Sequence, residues 1–253
     1  NPSDNSKIVG QVIFADVNTI QQALDFAASA FNAWRLTSVK YRAACLQKAA
    51  DLLEEHRLEL VSLCIREGGK TIKDALAEVR EAVDSCRFYA QTAVELFNEP
   101  KKLIGPVGEE NLLYQYARGI FVCISPWNFP IAIFIGQITA ALSAGNSVIA
   151  KPASQTVLSA MRCIQLLQQA GIPENTLQFL PCSGKLTGQY LLTDPRIAGV
   201  AFTGSTETAQ FINRQLAQHH PGIIPIIAET GGQNVMIADS SALLEQLVQD
   251  VLL

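Results

Sequence analysis

The 253-residue chain is short of several things, and each shortage removes a class of function. It has three histidines, and its six cysteines, at 45, 64, 86, 123, 163 and 182, form no CxxC pair and no metal-like spacing with His56, His219 or His220. In a chain able to build a full core, scattered cysteines read as reduced, packed thiols, and a reducing compartment such as the cytoplasm is expected. No charged n-region followed by an apolar h-region opens the chain, and it begins at Asn1 without a methionine. There is no GxGxxG, so a nucleotide site here does not use the usual glycine fingerprint. With 19 Lys+Arg against 23 Asp+Glu and a pI near 5.4, no basic surface for nucleic acid is expected. Disorder is excluded by a hydrophobic content of 49%.

Charge is also scarce in one particular place. Residues 1–110 hold 13 basic and 16 acidic side chains, whereas 111–253 hold 6 and 7. Between Arg118 and Lys151 lie 32 residues without a formal charge. The helical part of this run, Phe129 to Gly145, is too short for a comfortable membrane span and is bounded by Pro126, Asn128, Pro130 and Asn146. It reads as a buried helix between buried strands, and no transmembrane segment is expected.

Amphipathic helices account for the charged part. From Thr19, the residues Ile20, Ala23, Leu24, Ala27, Phe31 and Trp34 share one face at helical spacing. A second helix is predicted from about Val39 to Arg66, stopped by Gly68-Gly69. A third runs from near Thr71 to about Phe97, with Val79, Val83, Cys86 and Ala90 on one stripe. The segment NEPKKLIGPVGEE (98–110) is a charged, Pro/Gly-broken connector.

Beyond it the pattern changes. Residues 112–117 and 119–124 read as two strands around a turn. Apolar runs then alternate with helical stretches: strand to Ser125, helix 130–144, strand 148–150, helix 155–170, strand 177–180, helix 185–192, strand 199–202, helix 206–218 and strand 223–228. Such alternation predicts an α/β fold, a parallel sheet with helices on both faces. Parallel strands are buried on both sides, which explains the missing charges.

Ligands of open parallel sheets bind at the carboxyl ends of the strands. The segments just past these ends are SPWNFP with Asn128, then Lys151-Pro152-Ala153, Pro181-Cys182-Ser183-Gly184, Thr203 to Glu207, and Glu229 to Gly232. Gly204-Ser205-Thr206 opens a helix, where free N–H groups and the dipole can hold a phosphate; a simple Ser/Thr cap explains the same residues. Lys151 can reach ribose hydroxyls or phosphate, or snorkel as a surface lysine. Asn128 can donate to a developing oxyanion or merely form a turn. Glu229, at the end of the apolar run IIPIIA, is expected to be partly desolvated with a raised pKa, as suits a general base; a structural carboxylate capping a neighbouring helix is the lesser alternative. Cys182 is the one thiol at this edge and reads as packed, Cys123 as core, and the histidines as surface residues without a role.

Four segments, SPWNFP, AGNSVIAKPASQT, FTGSTE and AETGG, in this order and spacing, resemble the cofactor-binding half of the aldehyde dehydrogenase superfamily. The resemblance covers the whole chain. The stretch IAETGGQNVMIADSSALLEQLVQDVL and the opening NPSD are similar to the pyrroline-5-carboxylate (glutamate semialdehyde) dehydrogenase module of bacterial proline utilization A proteins. The resemblance implies a Rossmann-like NAD(P)-binding core over 119–253, an amino-terminal helical part over 1–110 and an oligomerisation hairpin near 111–118, in a parent that forms homo-oligomers and can be fused to a proline dehydrogenase module. In this chemistry a cysteine attacks the aldehyde, the Asn128 position and backbone hold the oxyanion, hydride passes to the nicotinamide leaving a thioester, and a water activated at the Glu229 position releases the acid. Cofactor contacts carry over to Ile124, Ser125, Pro126, Trp127, Lys151, Ser154, Gly184, Gly188, Phe202, Gly204, Ser205 and Thr208. Two departures stand out. The family's nucleophile lies beyond the Glu229 position, and no cysteine follows Cys182, so a fragment without the catalytic domain, inactive alone, is expected. Ser154 replaces the usual glutamate that bonds the adenine ribose, so NAD is expected as cofactor but NADP stays open. Another aldehyde dehydrogenase specificity, or a non-catalytic nucleotide-binding module, remains as the alternative.

Overall fold

The computed structural model describes residues 1–252. Four helices come first: α1 (Val17–Leu36), α2 (Val39–Glu55), α3 (Arg57–Gly68) and α4 (Ile72–Phe97). Three of them open on a side-chain cap, Asp16, Ser38 and Thr71 accepting from the backbone N–H three residues on. The single helix expected over 39–66 is in fact two. His56 leaves helical geometry at φ −92° and ψ 15°, which re-aims α3 so that Leu60, Val61 and Cys64 join the core already entered by Leu46, Ala49 and Leu53 of α2. A left-handed Gly69, φ 69°, ends α3, the αL position that glycine fills without strain.

The short strands β1 (Lys101–Leu103) and β2 (Asn111–Leu113) form an exposed antiparallel ribbon. Residues 112–117 therefore do not pair with 119–124 as expected. Their partner is the connector, because Pro106 and Gly108 fold the chain back first.

Five parallel strands come next: β3 (Ile120–Ile124), β4 (Ser147–Lys151), β5 (Leu177–Phe179), β6 (Ile197–Thr203) and β7 (Ile226–Glu229). Their order across the sheet is β5-β4-β3-β6-β7. The connecting helices are α5 (Ala132–Ser143), α6 (Val157–Gln169), α7 (Gly184–Leu186, running on into a π-helical turn Thr187–Leu191) and α8 (Thr206–His219). A last helix, α9 (Leu244–Leu252), buries none of its described residues.

Two apolar clusters sandwich the sheet. One joins α2–α6 to Phe121, Cys123, Val148 and Ala150; the other joins α1 and α8 to Ile120, Val122, Ile149 and Val200. The alternation along β3 sends odd and even residues to opposite clusters, both buried, as a central parallel strand requires. The uncharged stretch 119–150 is this centre: β3, α5 and β4. Among the described residues no helix is long and apolar enough to cross a membrane.

Two expectations about burial are corrected. β7 is the sheet's edge, paired only with β6, and Ile227 is 58% exposed rather than buried on both faces. His220 is buried, not on the surface, with Nε2 2.8 Å from the Leu192 carbonyl oxygen.

Candidate functional site

The chain enters the sheet at β3, builds outward through β4 and β5, then returns to lay β6 on the other side of β3. Connections therefore leave β3 and β6 in opposite directions, and a crevice opens above the carboxyl ends of these two strands, the switch point at which open α/β sheets take ligands. Ile124, Ser125, Pro126, Trp127 and Asn128 lie on one lip. Phe202, Gly204, Ser205 and Thr208 lie on the other. Lys151 ends β4 beside Ile124, and the Ser125 N–H donates to its carbonyl at 3.3 Å. Beyond β5, Gly184 and Gly188 begin α7 and its π-helical turn. Glu229 ends β7 level with Thr203, and its carbonyl accepts from the Gly204 N–H at 3.1 Å. The residues singled out in sequence thus share one edge.

Each helix at this edge begins differently, and the differences decide where an anion can sit. Neither α5 nor α6 has a capping side chain of its own. Glu78 of α4 instead accepts from the Ile131 and Ala132 N–H groups at 3.1 and 2.9 Å. Glu67 of α3 accepts from the Leu158 and Ser159 N–H groups at 2.7 and 2.8 Å and from the Ser159 hydroxyl at 2.6 Å. Both amino termini are thereby closed by an internal carboxylate. The full-length helix left open at the edge is α8, whose exposed Ser205 accepts from Thr208 N–H at 3.2 Å and leaves the other first-turn N–H groups facing solvent.

The glycines separate by environment. A side chain at Gly184 would meet nothing, so this turn has room for a ligand. At Gly188 a Cβ would lie 2.7 Å from the Phe211 ring of α8, so that glycine serves packing as well. Ser154 is exposed between β4 and α6, its hydroxyl 3.3 Å from Gln155 Oε1.

Lys151 is half-buried and burial pulls its pKa below the ordinary lysine value. Cys182 is buried, its Sγ 3.1 Å from Thr187 Oγ1, and burial pushes its thiol up. A neutral, enclosed sulfur is no nucleophile at pH 7, which agrees with the packed reading. All six cysteines are free and buried.

Glu229 departs from expectation. It is exposed, because β7 is an edge strand, and it forms the rim of a cleft of about 670 Å³ lined also by Phe121, Gln137, Thr203 and Ile227. Gln137 is one residue that sequence reasoning missed. Its Nε2 donates to the Ile124 carbonyl at 3.3 Å and to Thr203 Oγ1 at 3.1 Å, tying the two lips together. Glu78 was missed too, although its signal is visible: it is a charge on the same helical stripe as Ala75, Val79, Ala82 and Cys86. Asn128 is exposed and, among the described residues, its side chain makes no hydrogen bond.

A parallel sheet covered on both faces by helices defines an open α/β protein, and the Aldehyde dehydrogenase family model matches residues 1–253. The chain belongs to that family. It is 48% identical, over its full length, to the bifunctional protein PutA of Salmonella typhimurium, of which it spans 18%. A solved structure of proline utilization A superposes with a TM-score of 0.91 at 50% identity, covering 95% of this chain and 25% of that one. A Thermus 1-pyrroline-5-carboxylate dehydrogenase with bound NAD gives 0.87 at 35% identity, covering 92% of this chain and 46% of that enzyme. The chain therefore spans a minor part of a PutA protein and about half of the single-function dehydrogenase.

Proposed function

We propose that these residues form the cofactor-binding part of an NAD(P)-dependent dehydrogenase that oxidises glutamate γ-semialdehyde to glutamate in proline degradation. The observation that carries this reading is the convergence of Asn128, Lys151, Ser205 and Glu229 on one sheet edge around the β3–β6 switch point. Likeness to PutA and to the Thermus enzyme supports the substrate. The residues present fit a dinucleotide: α8 offers an open amino terminus to a pyrophosphate, Gly184 leaves space, and Lys151 ends the strand next to β3. When bound, the nicotinamide would accept the hydride.

The chain's own groups have separable tasks. The Ser205 and Thr208 hydroxyls, with the N–H groups at the start of α8 that have no acceptor among the described residues, would hold phosphate beside Gly204, while Ile124, Pro126, Trp127 and Phe202 would flank the cofactor. Lys151, without a carboxylate partner among the described residues, would offer its ammonium to hydroxyl or phosphate oxygens. Asn128 donates its amide hydrogen to the oxyanion. Glu229 takes the proton of the hydrolytic water, and the portion of the parent outside these residues supplies the nucleophilic thiol and the wall that dehydrates Glu229. The ribbon β1–β2 is exposed and serves homo-oligomer formation, and a parent of PutA type carries proline dehydrogenase as its other activity. Six free thiols suit a cytoplasmic enzyme.

The test uses the full-length protein containing these residues. Oxidation of glutamate γ-semialdehyde with NAD is expected, and Asn128→Ala should lower kcat by about 10²–10³-fold with little change in cofactor affinity. No turnover with either NAD or NADP would overturn the proposal.

A further inference from the structure

Among the described residues the side chain of Asn128 makes no hydrogen bond within its own loop, and the loop is held from outside. Three anchors do this. The first is the Ser125 N–H on the Lys151 carbonyl. The other two come from a single ion pair in the amino-terminal helices. Glu78, its side chain fully buried, spends Oε2 on the Ile131 and Ala132 N–H groups. Its Oε1 is 2.6 Å from Lys70 Nζ, and that ammonium lies 4.0 Å from the centroid of the Phe129 ring. Lys70 itself is fixed in the turn closing α3, its N–H donating to the Cys64 carbonyl at 3.4 Å and its side chain only 14% exposed.

Residues 129, 131 and 132 are thus gripped by one pair of charges, and Asn128 directly precedes the first of them. The pairing also has an electrostatic side. Glu78 alone would place a buried anion at the start of α5, next to the loop that is to stabilise a developing oxyanion. Lys70 cancels that charge while adding a cation–π contact to Phe129.

We infer that Lys70 and Glu78 are positioning residues for Asn128: they fix residues 129–132 directly after it and neutralise its surroundings, and so act on the oxyanion step without touching substrate. The inference rests on the proposed role of Asn128 as oxyanion donor, and the experiment separates the two.

In the full-length dehydrogenase, Glu78→Gln and Lys70→Gln are expected to lower kcat on the order of tenfold, less than loss of the donor itself. Cofactor Kd, from fluorescence titration with NAD, should change less than kcat, because the α8 side of the crevice is untouched and Ser125 keeps its own bond to the Lys151 carbonyl. Lys70→Arg, which keeps the charge, should restore most of kcat. Combined with Asn128→Ala, neither substitution should slow the enzyme further, since residues acting through one group are not additive. Full multiplication of the effects in the double variants, unchanged kcat in the single ones, or cofactor affinity falling together with kcat would each overturn the inference. If Glu78→Gln does not fold, the Lys70 variants complete the same cycle. A silent Asn128→Ala would instead remove the proposed role of Asn128, and the inference with it.

Discussion

On the proposed reading Ser154 stands where a carboxylate would meet the adenine ribose; its side chain is exposed and, among the described residues, hydrogen-bonds only to its neighbour Gln155. A neutral hydroxyl at this point neither strengthens the bond to the ribose 2′-oxygen nor repels a 2′-phosphate. Ser154→Glu should therefore shift preference toward NAD, with the ratio of NADP to NAD dissociation constants rising on the order of tenfold, or about 1.4 kcal/mol. Titration of both cofactors against the full-length protein checks it, and an unchanged ratio would place the ribose elsewhere. The motif residues at this scale were legible because strand-end chemistry is local: Lys151, Gly204 and Ser205 sit directly where apolar runs stop. Exposure was not. Glu229 looked desolvated from its apolar neighbours, but those neighbours belong to an edge strand, and sequence says nothing about which strand lies outermost.

Helices α5 and α6 begin without caps of their own, and their ends are completed by carboxylates from α4 and α3. That arrangement makes Glu67 a structural residue of the sheet domain although it lies in the amino-terminal layer. Glu67→Ala leaves two buried or partly buried N–H groups and a hydroxyl without their acceptor. A loss of about 1–3 kcal/mol is expected, read as a lower urea midpoint with an unchanged m-value. A midpoint equal to wild type would mean that water replaces the carboxylate at no cost. Periodicity revealed the amino-terminal helices, since each exposes one polar face. It did not reveal the break at His56, where the apolar stripe continues on both sides while the backbone turns. Nor could it pair Glu67 with Leu158, because hydrogen bonds across the fold leave no local pattern.

Over the whole molecule, the charge imbalance is the two-layer architecture written along the chain. Its helical first part carries solvated outer faces, and its second part is a sheet covered on both sides. The exception is the last stretch. Ile223, Ile227, Val235, Ile237, Leu244 and Val251 are all exposed, and β7 presents an unpaired edge beside them. Exposed apolar strands template association. The 253-residue chain should therefore sediment or scatter above monomer mass, and Ile227→Lys should raise the monomer fraction at equal concentration. Monodisperse monomer from the unsubstituted chain would show the edge to be harmless. The expectation of a hairpin near 111–118 illustrates the same limit of scale: β2 exists, but its partner lies upstream in a connector whose charges and prolines suggested no strand.

The imported caps also set an order of events. Glu78 and Glu67 precede the amides they bind by 53 and 91 residues, so the first turns of α5 and α6 gain these acceptors only once the upstream helices have packed against them. During synthesis the helical layer emerges first and can collapse on its own local contacts, ready when the sheet arrives. The amino-terminal helices would thus act as a template for the edge at which α5 and α6 begin.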